Sequence, residues 1–339
     1  MVIDSQGRQL STNLFHLDEP SEGTLLIRNL ISEGNQFYYR YGFMSESDYS
    51  LLVEPELSFA SSYSEGLAAI YKGGRQVQGD RDYLLPKGGK WSYLDLQGNE
   101  AFETSYSAAL PFTDGLAAVN QGGVGKVNIF GIFNVDGGKW GYIDRSGTTV
   151  VKPKYDYVYP FEDGVARVRL KGKWGLINRS GKQLTKIQYD AIEPFRDGLA
   201  LATYKGKMGL LDPAGKAKIP FQYDELRNYS EDLAYARTGK VQGYLDRSGK
   251  FKFKTTFAAN EDFHEGLAMV GVQSGKQSGI DKIGFIDKNG KIAIPLQFTR
   301  HAVFKEGLAM VYVNKKGKEY QAYVNKSGKL VWVSGVALE

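Results

Sequence analysis

Trp140-Gly141-Tyr142-Ile143-Asp144-Arg145-Ser146-Gly147 is the stretch that decides the fold. Its first half has the aromatic and β-branched content of a short strand. Its second half is a turn. The Asp side-chain oxygen closes a type I turn, and the Gly takes the left-handed residue of the bulge that follows. The octet recurs at residues 174–181, 208–215, 242–249, 283–290 and 321–328. Residues 91–98 are a clear earlier copy, Tyr41-Gly42-Phe43-Met44 is a weak one, and residues 2–7 are the tail of another. A second signature alternates with it: Gly66-Leu67-Ala68, Gly115-Leu116-Ala117, Gly164-Val165-Ala166, Gly198-Leu199-Ala200, Gly266-Leu267-Ala268 and Gly307-Leu308-Ala309. Asp232-Leu233-Ala234 replaces its Gly, and Gly23-Thr24-Leu25 is a decayed first copy. Successive copies lie 43, 49, 49, 34, 34, 34 and 41 residues apart, so the basic unit is 34 residues.

One unit shows what the period encodes. Leu199-Ala200-Leu201-Ala202-Thr203-Tyr204 is a strand, Lys205-Gly206-Lys207 turns it, and Met208-Gly209-Leu210-Leu211 returns. Asp212-Pro213-Ala214-Gly215 is a second turn, and Lys216-Ala217-Lys218-Ile219 is a third strand. Two aromatics precede each Gly-Leu-Ala, as in Tyr155 and Phe161 or Phe257 and Phe263, on a fourth short strand or a packed loop. Leu116 and Ala118 point to one face and Ala117 and Val119 to the other, and both sets are apolar. A meander of three or four strands cannot bury both faces alone, so copies must stack. The fold class is therefore all-β, with about eight tandem meanders. A propeller-like ring is preferred slightly to an open curved array.

The pattern resembles the WG (or KWG) repeat family, bacterial all-β repeat proteins, across essentially the whole chain. The resemblance is most specific from Gly115 to Gly290 and weakest before Phe59. The diagnostic Trp survives only at Trp140 and Trp174, and Trp91 is followed by Ser92. Elsewhere Tyr41, Met208, Gln242, Ile283 and Gln321 stand in its place. The resemblance implies an interaction module. The chain reads as one repeat domain, 1–339, with degenerate repeats over 1–58, clear repeats over 59–290, and a last repeat and terminal hairpin over 291–339.

Composition narrows the function classes. Hydrophobic residues make up 42% and charged residues 24%, the balance of a globular chain. The 41 Gly, 22 Tyr and 18 Phe suit short strands and tight turns. Cys is absent, which excludes disulfides, thiolate catalysis and Cys-ligated zinc. The net charge of +5 is unevenly placed. Residues 1–110 hold 15 Asp+Glu and 8 Lys+Arg, a net of −7, so the remainder carries +12. Such polarity can steer a charged partner, although a lysine-rich solvated surface would read the same way. No arginine cluster or aromatic-basic ladder argues for nucleic acid. No run of eighteen apolar residues argues for membrane insertion. No signal peptide is visible, which favours the cytoplasm and leaves a periplasmic or exported protein open if a leader was removed.

Function is expected in the insertions. Residues 71–90, 120–139 and 271–282 lengthen the same joint, between the Gly-Leu-Ala and Trp-Gly strands, and residues 29–40 occupy it too. One joint per repeat lies on one face of a stacked array, where long loops form binding surfaces. Residues 127–135 are apolar, with Ile129, Phe130, Ile132 and Phe133 at their centre. Arg75, Arg81, Tyr83, Leu84 and Leu85 mix guanidinium, aromatic and aliphatic groups, the content of interface hot spots. The competing reading is an extra hairpin packed on the sheet.

Chemistry is thin by comparison. The recurrent Asp144, Asn178, Asp212, Asp246, Asp287 and Asn325 are turn-formers, not catalysts or ligands. Of the three His, His16, His264 and His301, none has metal-ligand spacing, and the last two fall in the aromatic segment, where a packed ring is expected. Gly73-Gly74 and Gly137-Gly138 read as turn glycines, and Glu261-Asp262 as an ordinary pair. No catalytic residues, metal or cofactor are expected. The reading is a non-enzymatic protein-binding scaffold, such as an immunity or adaptor protein that blocks a partner. The rival is a glycan or cell-wall binder using the repeated aromatics. It requires Trp140, Trp174, Tyr142 and Tyr244 to be solvent-facing.

Overall fold

The computed structural model describes residues 2–3, 9–11, 14–16, 19–34, 36–73, 75–78, 83–104, 106–128, 133–273, 282–315 and 317–335. Among them every regular element is a β-strand, and no helix is long and apolar enough to cross a membrane. After a short hairpin of Val2–Ile3 with Gln9–Ser11, eight antiparallel meanders follow in chain order. The third, for example, runs Ala108–Thr113, Leu116–Asn128, Phe133–Asp144 and Thr149–Tyr155, and the fifth Ala191–Arg196, Leu199–Tyr204, Lys207–Leu211 and Ala217–Tyr223. The chain divides into two compact units, residues 1–188 and 189–339.

Local chemistry makes each meander. The first two strands join through a two-residue turn with positive φ at both positions, as at Asp114 (+56°) and Gly115 (+77°) or Glu265 (+53°) and Gly266 (+87°). That is the type I′ geometry of tight hairpins. The signature before Leu-Ala is therefore an acidic residue plus Gly, and the acid proves structural. The Asp-x-x-Gly turn forms as its composition requires. Asp144 Oδ1 accepts the N–H groups of Ser146 (2.9 Å) and Thr148 (3.0 Å), while Gly147 N–H donates to Asp144 O (2.9 Å).

The second and third strands are buried on both faces, as the alternation predicts: Leu116, Ala117, Ala118 and Val119 are all buried. The Gly after the Trp has a packing reason. A Cβ on Gly141 would lie 2.2 Å from Val151 O and 2.7 Å from Pro153 N. The fourth strand bulges there, because Pro153 has no N–H for the ladder. Register jumps from Trp140↔Tyr155 to Tyr142↔Val151. The same jump accompanies Pro55, Pro220 and Pro295. Fourth strands without Pro, Glu100–Glu103 and Phe251–Thr255, pair through this point without it.

Three devices join one meander to the next. The turn glycine abuts the preceding fourth strand: a Cβ on Gly147 would meet Phe102 at 2.8 Å, on Gly181 Val151 at 2.7 Å, and on Gly290 Phe253 at 2.5 Å. In several repeats the acid of the type I′ turn accepts the Gly N–H of the next one. Glu65 takes Gly115 (2.8 Å), Asp114 takes Gly164 (2.5 Å), Glu231 takes Gly266 (2.8 Å) and Glu265 takes Gly307 (2.9 Å). A cation from the next repeat's Asp-x-x-Gly turn joins the same carboxylate, as Arg179 does on Asp114 (2.6 Å) and Lys326 on Glu265 (3.2 Å). Finally, the buried Tyr of Trp-Gly-Tyr donates to a carbonyl of the next first strand or the residue just after it: Tyr93 to Leu110 (2.8 Å), Tyr142 to Tyr159 (2.7 Å) and Tyr244 to Glu261 (2.6 Å). Burial pushes all three phenols up.

One meander breaks the rule. Tyr157–Val158, Val165–Leu170 and Lys173–Asn178 form only three strands. Four residues after its turn glycine, where Val151, Ile219 and Ile294 sit elsewhere, stands Thr185. Its hydroxyl accepts the Leu176 N–H (2.9 Å), so a side chain takes the donor that a ladder would use.

Candidate functional site

The insertions begin at one joint and become strands. In the third meander, Leu116–Asn128 and Phe133–Asp144 stay in register from Leu116↔Asp144 to Val127↔Phe133. The insertion is therefore a continuation of the two central strands, a hairpin as in the competing reading, though not an extra one laid on the sheet. In the second meander the insertion folds as its own hairpin, Arg75–Gln78 with Tyr83–Lys87. The two join. Tyr83 pairs with Asn128 and Leu84 with Val127, so segments inserted into consecutive repeats form one sheet.

This sheet gathers part of the residue set chosen from sequence. Gln78, Leu84, Val127 and Phe133 stand opposite one another in a single cross-strand row, and Arg75 and Tyr83 occupy alternate positions of the same strands as Gln78 and Leu84. Ile129, Phe130, Ile132 and Arg81 lie outside the described residues. Most of the 271–282 insertion does too, while the first meander extends the same joint as Thr24–Glu33 paired with Gln36–Ser45. Strand Gln36–Ser45 also touches Arg75–Gln78. Near this contact sequence reasoning missed a guanidinium–aromatic group: Arg28 lies 4.2 Å from the Tyr39 ring centre and Arg40 5.3 Å from that of Tyr38. The run Tyr38-Tyr39-Arg40, at the joint already singled out, was its signal.

The base of the projecting hairpin is rigidly specified. Asn120 is buried beneath it; its amide donates to Gly137 O (3.2 Å) and its oxygen accepts the Gly123 N–H (2.9 Å). Gly137 and Gly138 have φ of +71° and +67°, and a Cβ on Gly138 would fall 2.2 Å from the Asn120 oxygen. These two are not turn glycines, as the sequence suggested. They lie inside strand Phe133–Asp144, kinked where it leaves the core. Beyond the kink Lys126 pairs with Asp136, and Val124 is 53% exposed.

At the foot of the neighbouring hairpin is a cavity of about 260 Å³, lined by Lys72, Gly88, Lys90, Ser92, Glu100 and Glu103 among others. Lys72 meets Glu100 at 2.7 Å and Lys90 meets Glu103 at 3.1 Å. Ser92, in the usual Gly position, donates to Glu100 (2.6 Å). These bonds hold the Glu100 carboxyl below the ordinary range and the Lys72 ammonium above it. The polar groups here bond mainly to one another, and so brace the hairpin.

The aromatics are core. Trp140, Tyr142 and Tyr244 are buried and Trp174 is half-buried, stacked on Tyr159 at 5.5 Å. The solvent-facing series that a glycan binder requires is not formed. The His expectation also fails: His264 is exposed and the His301 side chain is 65% exposed. Each sits beside a buried Phe or Ala that fills the apolar slot instead, Phe263 in one case and Ala302 in the other.

A family model described as WG containing repeat matches residues 41–75, 91–124, 140–174, 174–207, 208–240 and 283–316. No curated protein sequence matches the chain. Among solved structures, the chain is similar to the dihydro-heme d1 dehydrogenase NirN in complex with DHE, at 12% identity and a TM-score of 0.36 over 96% of this chain and 79% of that one. It is similar to the V. cholerae biofilm matrix protein Bap1 at 13% identity and 0.27, over 95% and 71%. It is similar to the AfRom2 CNH domain at 8% and 0.27, over 95% of each. Likenesses of this size carry no argument about what the chain does.

Proposed function

The chain belongs to the WG-repeat family, and on that premise we propose that it is a non-enzymatic protein-binding scaffold whose contact surface is the sheet of inserted hairpins. The observation that carries the reading is the pairing of Tyr83–Lys87 with Leu116–Asn128. The pairing joins insertions from two different repeats into one continuous sheet. That sheet has the content of a protein interface: Leu84, Val127 and Phe133 in one row, with Arg75 and Tyr83 at alternate positions of the hairpin that carries Leu84. The repeats beneath it supply rigidity, which limits the ordering cost of binding. An adaptor or immunity protein that blocks a partner enzyme is the concrete form of this reading.

The test is affinity capture with the intact chain beside a variant in which residues 127–133 are replaced by Asn-Gly. That dipeptide closes a two-residue type I′ hairpin between the paired residues Lys126 and Asn134. A partner captured by the intact chain and lost with the folded variant supports the proposal. The same partners on both would dismiss it.

A further inference from the structure

The seventh and eighth meanders enclose a cleft of about 310 Å³ whose chemistry the hairpin surface does not use. Its floor is carbon: Leu267, Met269, Phe285 and Phe304, all buried. Its rim is polar: Glu261, Asp262, His264 and His301. The rim is set by a bulge in strand Ala259–His264. Asn260 pairs with Val270 and Phe263 with Ala268, so Glu261 and Asp262 together face the single residue Met269. Bulges re-aim side chains, and here two adjacent acids stand at the mouth of an apolar hollow.

Charge at the rim is out of balance. Arg227 reaches Glu261 at 3.0 Å, Glu225 at 3.5 Å and Asp262 at 3.7 Å, while Arg237 reaches Glu225 at 3.4 Å. Two guanidiniums thus serve three carboxylates. Asp262 has the longest of these contacts, and burial raises its carboxyl above the ordinary range despite Arg227. His301 approaches Glu261 only to 4.0 Å. Apart from the rim imidazoles of His264 and His301, the cleft is short of one positive charge, and it offers carbon surface behind the acids. Its volume is at the lower end of ligand sites, about 300–1,000 Å³, enough for a side chain or a fragment.

We propose that this cleft binds a primary ammonium carried on an apolar stem, with Asp262 and Glu261 taking the charge and Met269, Phe285 and Phe304 taking the stem. Two sources share that chemistry, a free arylalkyl amine and a lysine side chain of a protein partner. The test uses the full chain labelled at the methionine methyls, of which there are five. It is titrated with 4-phenylbutylamine, with 4-phenylbutan-1-ol and with Nα-acetyl-lysine methylamide. The expected result is a saturable shift of the Met269 methyl, with the best amine binding about tenfold or more tighter than the alcohol, since one charge-assisted contact is worth at least that factor. Tighter binding of the lysine derivative assigns the site to a protein side chain, and tighter binding of the arylalkyl amine assigns it to a small molecule. Asp262→Asn and, separately, His301→Lys, which places a cation of the chain's own on the exposed rim, each weaken the amine about tenfold. An alcohol that binds as well as the amines would overturn the proposal. So would a Met269 methyl unmoved by either amine, or full affinity in both folded variants.

Discussion

The fifth meander and the third start alike and part at one residue pair. In the fifth, Tyr204 pairs with Lys207 and the chain turns at Lys205 and Gly206, both with positive φ. In the third, the equivalent pair is Gln121 and Lys139, and the strands run on to Val127 and Phe133. Below that pair the two share the Gly facing a bulged fourth strand, the Asp-x-x-Gly turn, and a Lys pairing with an Asp, Lys207 with Asp224 and Lys139 with Asp156. Above it the first needs only a turn and the second carries a surface. The repeat thus confines its insertions to one joint. Below that joint backbone sterics fix the Gly and the turn, while Leu210 stands where Tyr142 does.

That contrast can be broken from below. Gly141→Val puts carbon where the Val151 carbonyl already stands, 2.2 Å from the new Cβ position. Overpacking against backbone costs about 1–3 kcal/mol or more, and β-branching leaves no rotamer to relieve it. The expected loss is about 3 kcal/mol or non-folding, measured by urea denaturation, in the third meander as in the fifth with Gly209→Val. Next in size is Tyr142→Phe. It removes the part-buried bond to Tyr159 O, and about 1–3 kcal/mol should be lost because the carbonyl is left without this donor. A cost equal to that of an exposed Tyr→Phe change would show that the phenols do not join the repeats.

It can also be sharpened from above. Replacing residues 127–133 by Asn-Gly, which joins the paired Lys126 and Asn134, should change stability little, within about 1 kcal/mol, because nothing below the Asn120 kink is touched. A collapse of the third meander on denaturation would mean the hairpin is structural. The smallest effect belongs to the turn acids. The Gly307 N–H, first, and then Lys326 hold the Glu265 carboxyl below its ordinary value. A lowered folded pKa contributes stability above the ordinary Glu value and loses it as pH falls through the folded one. Glu265→Gln should therefore be slightly less stable than the parent at neutral pH and indistinguishable from it in acid, read from paired melting curves.

The same contrast explains what was legible in the sequence. Asp144 to Gly147 and the acid–Gly pairs act within four residues, so their geometry follows from composition. The period of 34 and the apolar alternation follow from stacking, and both appear in the structure. The position of the insertions was legible because a period locates its own interruptions. Pairing of Leu84 with Val127 was not, since contacts between inserted segments obey no repeat. Gly137-Gly138 misled because a kinked strand and a turn use the same residue for the same positive φ. His264 and His301 misled because each is one place from the buried slot, and for His264, in strand Ala259–His264, one place means the opposite face.

The meeting of the two hairpins is most directly tested by a Leu84→Cys/Val127→Cys variant, in a chain that has no other cysteine. Directly opposed residues of antiparallel strands bring their Cβ atoms to about 4.5–5.5 Å, within reach of a disulfide after slight adjustment. The account predicts that mild oxidation forms an intramolecular disulfide with the fold retained, and that a Leu84→Cys/Asp136→Cys pair does not cross-link. Two thiols that stay free in the first variant, or equal cross-linking of both, would contradict it.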